Sequence, residues 1–269
     1  VAGGGVVGAA CALALARAGL DVALVEARPV PRWLAEQPDL RVYALAPDNA
    51  ALLDALGVWP QVVRARAQPY RKMRVWDAGG GDELAFDAAT LARDELGWIV
   101  ENGLLVDRLW AALVAAGVQV HCPARVQGME QDEAGVRLQL DDGTRLEARV
   151  AVAADGGASE LRRLAGLDVD AHDYGQRGVV AFIETADPHQ ETAWQRFLPT
   201  GPLALLPFTQ GRSSIVWTLP EAEAQRVLAL DDAAFALELT EASAARLGRA
   251  QPVSERAAFP LRRQLVRQQ

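Results

Sequence analysis

Apolar and polar positions divide the chain into three regimes. From Val1 to Glu26 the sequence VAGGGVVGAACALALARAGLDVALVE opens with a stub of apolar strand and turns through glycines into an Ala- and Leu-rich helix that Gly19 ends; it closes on a second apolar run, DVALVE. Strand, helix and strand in that order predict a βαβ unit. The next segment, ARPVPRWLAEQPDL, is broken by Pro29, Pro31 and Pro38 and reads as a loop. RVYALAPDNAALLDALGVW then predicts a short extended piece after Arg41 and a helix with Asp48 as its N-cap, ending at Gly57. From Tyr70 the pattern shifts to short extended runs, KMRVWDAGG, DELAFDA and GWIVEN, which predict a sheet outside the βαβ core. After Asn102, Leu105, Leu109, Leu113 and Ala116 recur at helical spacing, and VQVHC is the next strand.

Residues Arg125 to Asp155 alternate as a meander, with Asp142-Gly143 as a hairpin turn between two strands. Its last run, RLEARVAVAAD, ends apolar throughout, which predicts burial on both faces in the main sheet and delivers Asp155 to that sheet's carboxyl edge. Gly156 and Gly157 turn the chain, Ser159 caps ELRRLAG, and Gly166 ends that helix. From Tyr174 strands dominate, interrupted by one acidic, Ala-rich helical stretch from about Glu221 to Leu247. The fold class predicted is α/β: a nucleotide-binding core interrupted and followed by an antiparallel layer.

Gly3, Gly5 and Gly8 stand in the spacing GxGxxG at the first strand-to-helix turn. The first glycine permits the turn, the second lets a diphosphate approach the backbone, and the third lets helix and strand pack closely. Phosphates then meet free N–H groups at the positive end of the helix. Glu26 closes the second strand and can accept both hydroxyls of an adenosine ribose; its charge repels a 2′-phosphate, favouring FAD or NAD over NADP.

The 269 residues are 51% hydrophobic, yet no run reaches the length of a membrane-spanning helix. A net charge of −8 with scattered arginines argues against nucleic acid as a partner. Cys11 and Cys122 stand alone, as expected of reduced thiols in the cytoplasm, and His121, His172 and His189 lack ligand spacing, so no metal site is predicted. With no initiator Met and no stop signal in ERAAFPLRRQLVRQQ, the sequence reads as a fragment cut at both ends.

Four stretches, VAGGGVVGAACALALARAGLDVALVE, RVYALAPDNAALLDALGVW, LGWIVENGLL and VAADGGASELRRLAGL, together resemble the class A FAD-dependent aromatic hydroxylases. A fifth, TAWQRFLPTGPLALLPFTQGRSSIVWTLP, resembles the ubiquinone-biosynthesis branch. The resemblance implies a Rossmann-like FAD-binding core interleaved with an antiparallel-sheet substrate domain. The FAD core would comprise residues 1–69 and 101–168, and the substrate side an insertion, 70–100, and the later layer, 169–269. By position, Gly3, Gly5 and Gly8 match the diphosphate glycines, Glu26 the ribose ligand, and Arg41 an arginine on the diphosphate side. Asn102 matches an amide near the flavin, Val126 a backbone beside the adenine, and Asp155 and Gly156 a motif tied to FAD and NAD(P)H. Each also has an ordinary reading: Arg41 as a surface charge, Asn102 as a helix N-cap, Asp155 as a turn or cap acid. The family has a further Gly-Asp motif beyond the FPLR segment, which this sequence does not reach.

The activity implied is hydroxylation of a phenolic, polyprenylated ubiquinone precursor by NAD(P)H and O₂ through a flavin hydroperoxide. The cofactor carries that chemistry, which fits the absence of a Ser-His-Asp, Cys-His or paired-carboxylate constellation, and no catalytic residue is singled out. The apolar strands from Thr192 to Leu219 would wall the flavin, or are plain sheet core. Such a substrate implies a peripheral place at the inner face of a membrane or in a biosynthetic complex, although no basic amphipathic helix supports it. Two other readings share these residues: an NAD- or FAD-dependent dehydrogenase on the same nucleotide fold, and a truncated, non-catalytic fragment.

Overall fold

The computed structural model describes residues 1–30 and 32–267; Pro31, one of the loop-breaking prolines, and Gln268 and Gln269 lie outside the described residues. In chain order the elements are α1 (Val6–Arg17), β1 (Ala23–Val25), β2 (Val42–Leu45), α2 (Pro47–Ala55), α3 (Trp59–Arg66), β3 (Gln68–Tyr70), β4 (Lys72–Asp77) and β5 (Leu84–Asp87). There follow β6 (Gly97–Glu101), α4 (Asn102–Ala115), β7 (Gln119–His121), β8 (Val126–Asp132), β9 (Gly135–Leu140), β10 (Arg145–Ala148) and α5 (Glu160–Leu164). The last third comprises β11 (Val169–Thr185), β12 (Thr192–Leu198), β13 (Gly201–Pro207), β14 (Ser213–Pro220), α6 (Glu221–Leu228), α7 (Asp232–Ala242), β15 (Ala250–Pro252) and β16 (Ala257–Val266).

A small parallel sheet forms the nucleotide core. β1 pairs in parallel with β7, and Ala2 bridges both Val25 and Ala153, also in parallel. The chain therefore leaves the Ala2 strand toward one side, through β1 and β7, and returns on the other side at Ala153. The order of strands reverses beside Ala2. α1 lays Ala9, Ala12 and Leu13 into the core with 0% exposure, and the small residues let it lie close to α4, whose Leu104, Leu105, Leu109 and Leu113 are likewise fully buried. Val58 and Val62 from the region of α3 complete this cluster.

The structure departs from several expectations. The meander's last run is two pieces: β10 follows an exposed alternation and ends at Ala148, after which the apolar residues leave for the parallel sheet, joined through Ala2 N–H to Val152 O at 2.9 Å and Ala154 N–H to Ala2 O at 2.8 Å. The three runs after Tyr70 do not share one sheet. β6 pairs with β2 on one edge and β3 on the other, with Ile99 buried against Phe182 and Phe208 and Val100 in the cluster of α1 and α4, while β4 and β5 join the large sheet. Asp48 is not an N-cap: Ala46 holds that position, with Pro47 in the first turn, and Asp48 accepts the N–H of Asn49. The acidic helical stretch is broken in two, and Asp231 caps α7 by accepting the N–H of Ala234 at 2.8 Å. The strand-rich region expected from Tyr174 begins earlier, at Val169, where β11 starts.

The large sheet runs β15, β11, β14, β13, β12, β4, β5, with β16 also on β11. It is antiparallel except where β12 meets β4, from Thr192 opposite Lys72 to Phe197 opposite Asp77. Strand alternation sorts its residues. Leu203, Leu205, Ile215, Trp217 and Leu219 bury themselves under Val227, Phe235 and Leu239 of α6 and α7. The alternate positions Ala204, Leu206 and Val216 are half-buried on the opposite face. Thus the Leu and Trp residues expected over a flavin are largely helix-covered core, and the open face is lined by their neighbours. No helix among the described residues is long and apolar enough to cross a membrane.

Candidate dinucleotide site

The glycine turn sits where the strand order reverses, at the carboxyl ends of the parallel strands, the place where such sheets take ligands. Gly3 has φ +101, a conformation that disfavours any side chain, and a Cβ there would strike the carbonyl of Ala154. Gly8 abuts the carbonyl of Gly3, so a Cβ would force α1 off the strand. Gly5 is different: a Cβ on it would meet nothing within 4 Å. It is the N-cap of α1, has an ordinary φ of −68, and offers no side chain to the first N–H groups of the helix. Two motif glycines are thus required by the protein's own packing, and the third faces open space at a helix N-terminus.

Glu26 follows β1 directly and ties itself to this turn. Its Oε2 accepts the N–H of Gly4 at 2.6 Å and its Oε1 the N–H of Arg28 at 2.8 Å. A carboxylate has about four acceptor sites, so each oxygen retains capacity for a ribose hydroxyl. Gly4 itself is pinned from the other side. Trp110 Nε1 donates to its carbonyl at 2.7 Å, and the indole occupies the space a Cβ would need. Val126 opens β8, two residues beyond Ala124, whose N–H donates to Glu26 O at 2.8 Å.

Asp155 lies beside Gly3 and braces the first turn of α5, which Ser159 caps: Oδ2 accepts the N–H groups of Glu160 at 2.7 Å and Leu161 at 3.1 Å, and Oδ1 accepts from the Ser159 hydroxyl. Gly156, with φ +86, lines an open groove of about 920 Å³ together with Arg149, Ala153, Ser159, Leu161 and Arg162.

Arg41 and Asn102 form a second group, held together by Asp39. The guanidinium donates to Asp39 through Nε at 3.3 Å and Nη2 at 3.2 Å, and Asn102 Nδ2 donates to Asp39 Oδ2 at 3.2 Å. Tyr43 donates its hydroxyl to Asn102 Oδ1 at 3.1 Å. Asn102 is not the N-cap of α4; Glu101 is, and the Asn102 side chain faces Asp39 and Tyr43. Burial disfavours the Asp39 carboxylate, but the hydrogen bonds from the Arg41 backbone and guanidinium and from Asn102 outweigh it and hold the carboxyl below its ordinary value.

Behind Asp39 lies Glu101, fully buried, its Oε1 accepting the N–H of Asp39 at 3.0 Å and the indole N–H of Trp33 at 3.2 Å. Arg66 Nε stands 3.3 Å from Glu101 Oε2. The residues flanking Arg41, Leu40 and Val42, pack with Ile99, Phe182 and Phe208, so the arginine emerges where the nucleotide half meets the large sheet. Gly4, Trp110, Asp39 and Glu101 escaped sequence reasoning. Only Glu101 left a trace there, as a charge closing the apolar run WIV.

A parallel sheet with a glycine turn at its reversal point, a helix N-terminus and an acid on the neighbouring strand defines a dinucleotide-binding α/β protein. The FAD binding domain family matches residues 1–269, and the chain belongs to that family. It is 34% identical over 265 residues to 3-demethoxyubiquinol 3-hydroxylase of Escherichia coli (strain K12), covering 98% of this chain and 67% of that one. It is 35% identical over 268 residues to the ubiquinone hydroxylase UbiL of Rhodospirillum rubrum, covering 97% and 61%. The chain spans between about half and two thirds the length of the curated relatives it matches. In fold it is similar to PqsL of P. aeruginosa, crystallised with 2-aminobenzoylacetate, at a TM-score of 0.75 and 24% identity over 94% of this chain and 71% of that one.

The residues present fit FAD. Gly5 leaves room at a helix N-terminus for a diphosphate, and Glu26 keeps acceptor capacity for a ribose.

Proposed function

We propose that the chain forms the FAD-binding part, and much of the substrate part, of a monooxygenase that uses NAD(P)H and O₂ to hydroxylate a phenolic, polyprenylated ubiquinone precursor. The observation that carries this reading is the open face of Gly5 beside Glu26, set against the large sheet in a chain of this family. The names of the two bacterial relatives support the substrate class. FAD, when bound, supplies the transfer of electrons from NAD(P)H to O₂ and the insertion of oxygen into the ring.

The chain's own residues bind, orient and exclude water. The N–H groups at the start of α1 hold the diphosphate over Gly5, and Glu26 takes the ribose hydroxyls while its bond to Gly4 keeps the turn in shape. The Val126 backbone lies beside the adenine, Arg41 reaches the diphosphate side and Asn102 the flavin. Asp155 holds α5 in place, and with Gly156 faces the flavin and NAD(P)H. Residues 1–69 and 101–168 serve the nucleotide, and 70–100 and 169–269 the substrate. The half-buried face with Leu206 and Val216, adjoining Phe182 and Phe208, suits an apolar aromatic ring and keeps water from the reacting atoms. A polyprenyl substrate places the protein at the inner face of a membrane or in a biosynthetic complex.

Gly5→Ala tests the reading. The backbone already suits alanine and the Cβ has room, so thermal stability should change little, while FAD affinity falls about tenfold or more because the methyl group stands in the diphosphate's place. Hydroxylation is read with ¹⁸O₂ and a prenylated phenol by mass spectrometry. A protein that binds NAD and takes up no FAD, or a Gly5→Ala variant with undiminished FAD affinity, would overturn the assignment in favour of a dehydrogenase or of a different ligand position.

A further inference from the structure

We infer that Asp39 is the positioning residue of the Arg41 and Asn102 half of the site, setting the guanidinium plane and the amide orientation so that their remaining N–H groups face the dinucleotide. The inference rests on the reading that Arg41 and Asn102 contact FAD.

Asp39 is the common partner of both. Its Oδ1 accepts the backbone N–H of Arg41 at 3.0 Å and Nε at 3.3 Å; its Oδ2 accepts Arg41 Nη2 at 3.2 Å, Asn102 Nδ2 at 3.2 Å and the N–H of Gly103 at 3.1 Å. Arg41 and Asn102 otherwise meet through the backbone, Asn102 N–H donating to Arg41 O at 2.9 Å. Without the carboxylate, nothing in this group fixes the guanidinium, whose side chain is 53% exposed. Asp39 is itself held from behind, its N–H bound to the fully buried Glu101. A solvent-facing arginine is thus linked to the interior through two carboxylates in series.

The arrangement leaves working groups free. Asp39 engages Nε and Nη2, so Nη1 still has both of its hydrogens to give, and Asn102 keeps one N–H and one lone pair. Asp39 also neutralises the arginine. The pair therefore presents oriented donors with little net charge, and affinity here rests on geometry more than on long-range attraction. That makes a distinctive expectation: removing the Asp39 charge should loosen the arginine and at the same time make FAD binding more sensitive to salt, because an unpaired guanidinium attracts the diphosphate through a screened field.

The experiment measures FAD dissociation constants of the full chain by flavin fluorescence quenching, at low and high NaCl, for Asp39→Asn, Arg41→Ala, Asn102→Ala and the Asp39→Asn/Arg41→Ala pair. Asp39→Asn and Arg41→Ala should each weaken FAD about tenfold, and the pair no more than Arg41→Ala alone, because one residue acts through the other. Asp39→Asn should also steepen the salt dependence. Asp39→Glu, which keeps the charge and misplaces it, should show a weakening with the parent's salt dependence, and it carries the test if Asp39→Asn fails to fold. Multiplying losses in the pair, an Asp39→Asn affinity equal to the parent's, or unchanged salt dependence in Asp39→Asn would each overturn the role of Asp39. If Arg41→Ala and Asn102→Ala both bind FAD as the parent does, the placement of FAD at these residues fails, and the role of Asp39 with it. An effect of Arg41→Ala without one of Asp39→Asn overturns the inference alone.

Discussion

Arg66→Met strips the partner from the buried Glu101 carboxylate, and the structure sets both the size and the pH dependence of the result. Arg66 Nε lies 3.3 Å from Glu101 Oε2, with the two side chains 11% and 0% exposed. At such a separation two unit charges in an effective dielectric of about 20 attract by roughly 5 kcal/mol. Against this stands the cost of burying the ions, and for Glu101 burial prevails: it pushes the carboxyl above its ordinary value although Arg66, the Asp39 N–H and the Trp33 indole all pull the other way. Arg66→Met removes the attraction and leaves the burial, a loss of about 3–5 kcal/mol for one member of a buried pair. The carboxyl then rises further. A folded pKa above the unfolded one means that the folded state keeps a proton that the unfolded chain has lost, so stability falls as pH rises through that window. Each pH unit within the window changes the difference by about 1.4 kcal/mol. Urea unfolding should therefore show the largest loss near pH 8 and a loss smaller by about 2 kcal/mol near pH 5, with the slope against urea unchanged. Glu101→Gln should cost less than Arg66→Met, and adding it to Arg66→Met should recover part of the stability, since it removes the ion that burial resists. A loss below about 1 kcal/mol at pH 8, or one equal at pH 5 and pH 8, would refute the reasoning.

Other outcomes follow from single contacts. Gly4→Ala should lower stability by about 1–3 kcal/mol through overpacking against Trp110, and Trp110→Phe in the same chain should relieve part of it; a stable Gly4→Ala protein would show that the indole yields freely. The Asp39 carboxyl, held below its ordinary value, contributes stability that is present above its unfolded pKa of about 3.9 and is lost as pH falls through the lower folded value. Asp39→Asn should accordingly flatten the acid limb of the stability curve, which urea midpoints from neutral pH down to about pH 3 would read. Asp231→Ala should cost about 0.5–2 kcal/mol through loss of the α7 cap, checked by calorimetry, and an unchanged midpoint would argue that Asp232 takes over.

The local grammar of the fold was legible because it depends on neighbours in sequence. Gly3 and Gly8 announce the turn, Ser159 caps its helix by accepting the N–H of Arg162, and Asp142-Gly143 makes the hairpin, with Gly143 at φ +85. What stayed hidden depends on partners far along the chain. The apolar run after Ala148 pointed to the main sheet, but not to Ala2 as its partner or to the break in the meander, and GWIVE looks like any short strand until β2 and β3 pair with its two edges. In the same way the large sheet's alternation was visible, but not which face the α6 and α7 helices would cover. The site residues divide along the same line. Glu26 and the glycines were found by spacing, whereas Asp39 matters only because Arg41 and Asn102, 61 positions apart in the chain, converge on it.

That convergence has two structural causes: the pairing of β2 with β6, which sets Arg41 against Asn102, and the second face of α4, which holds Asp39. One face of the helix carries the leucines that bury α1. Gly103, Asp107 and Trp110 recur four and three residues apart and so share another face. Along it Gly103 N–H donates to Asp39, Asp107 accepts the N–H of Trp33, and Trp110 donates to Gly4. The loop between β1 and β2, whose described residues form no helix or strand, takes its course from this rail rather than from its own backbone pairing. The same rail separates the two halves of the site, since seven residues of helix rise about 10 Å from Gly103 to Trp110. A ligand that reaches both Gly5 and Arg41 must be extended, as a dinucleotide is. The helix that completes the core of the nucleotide half also spaces the groups that would read its ligand.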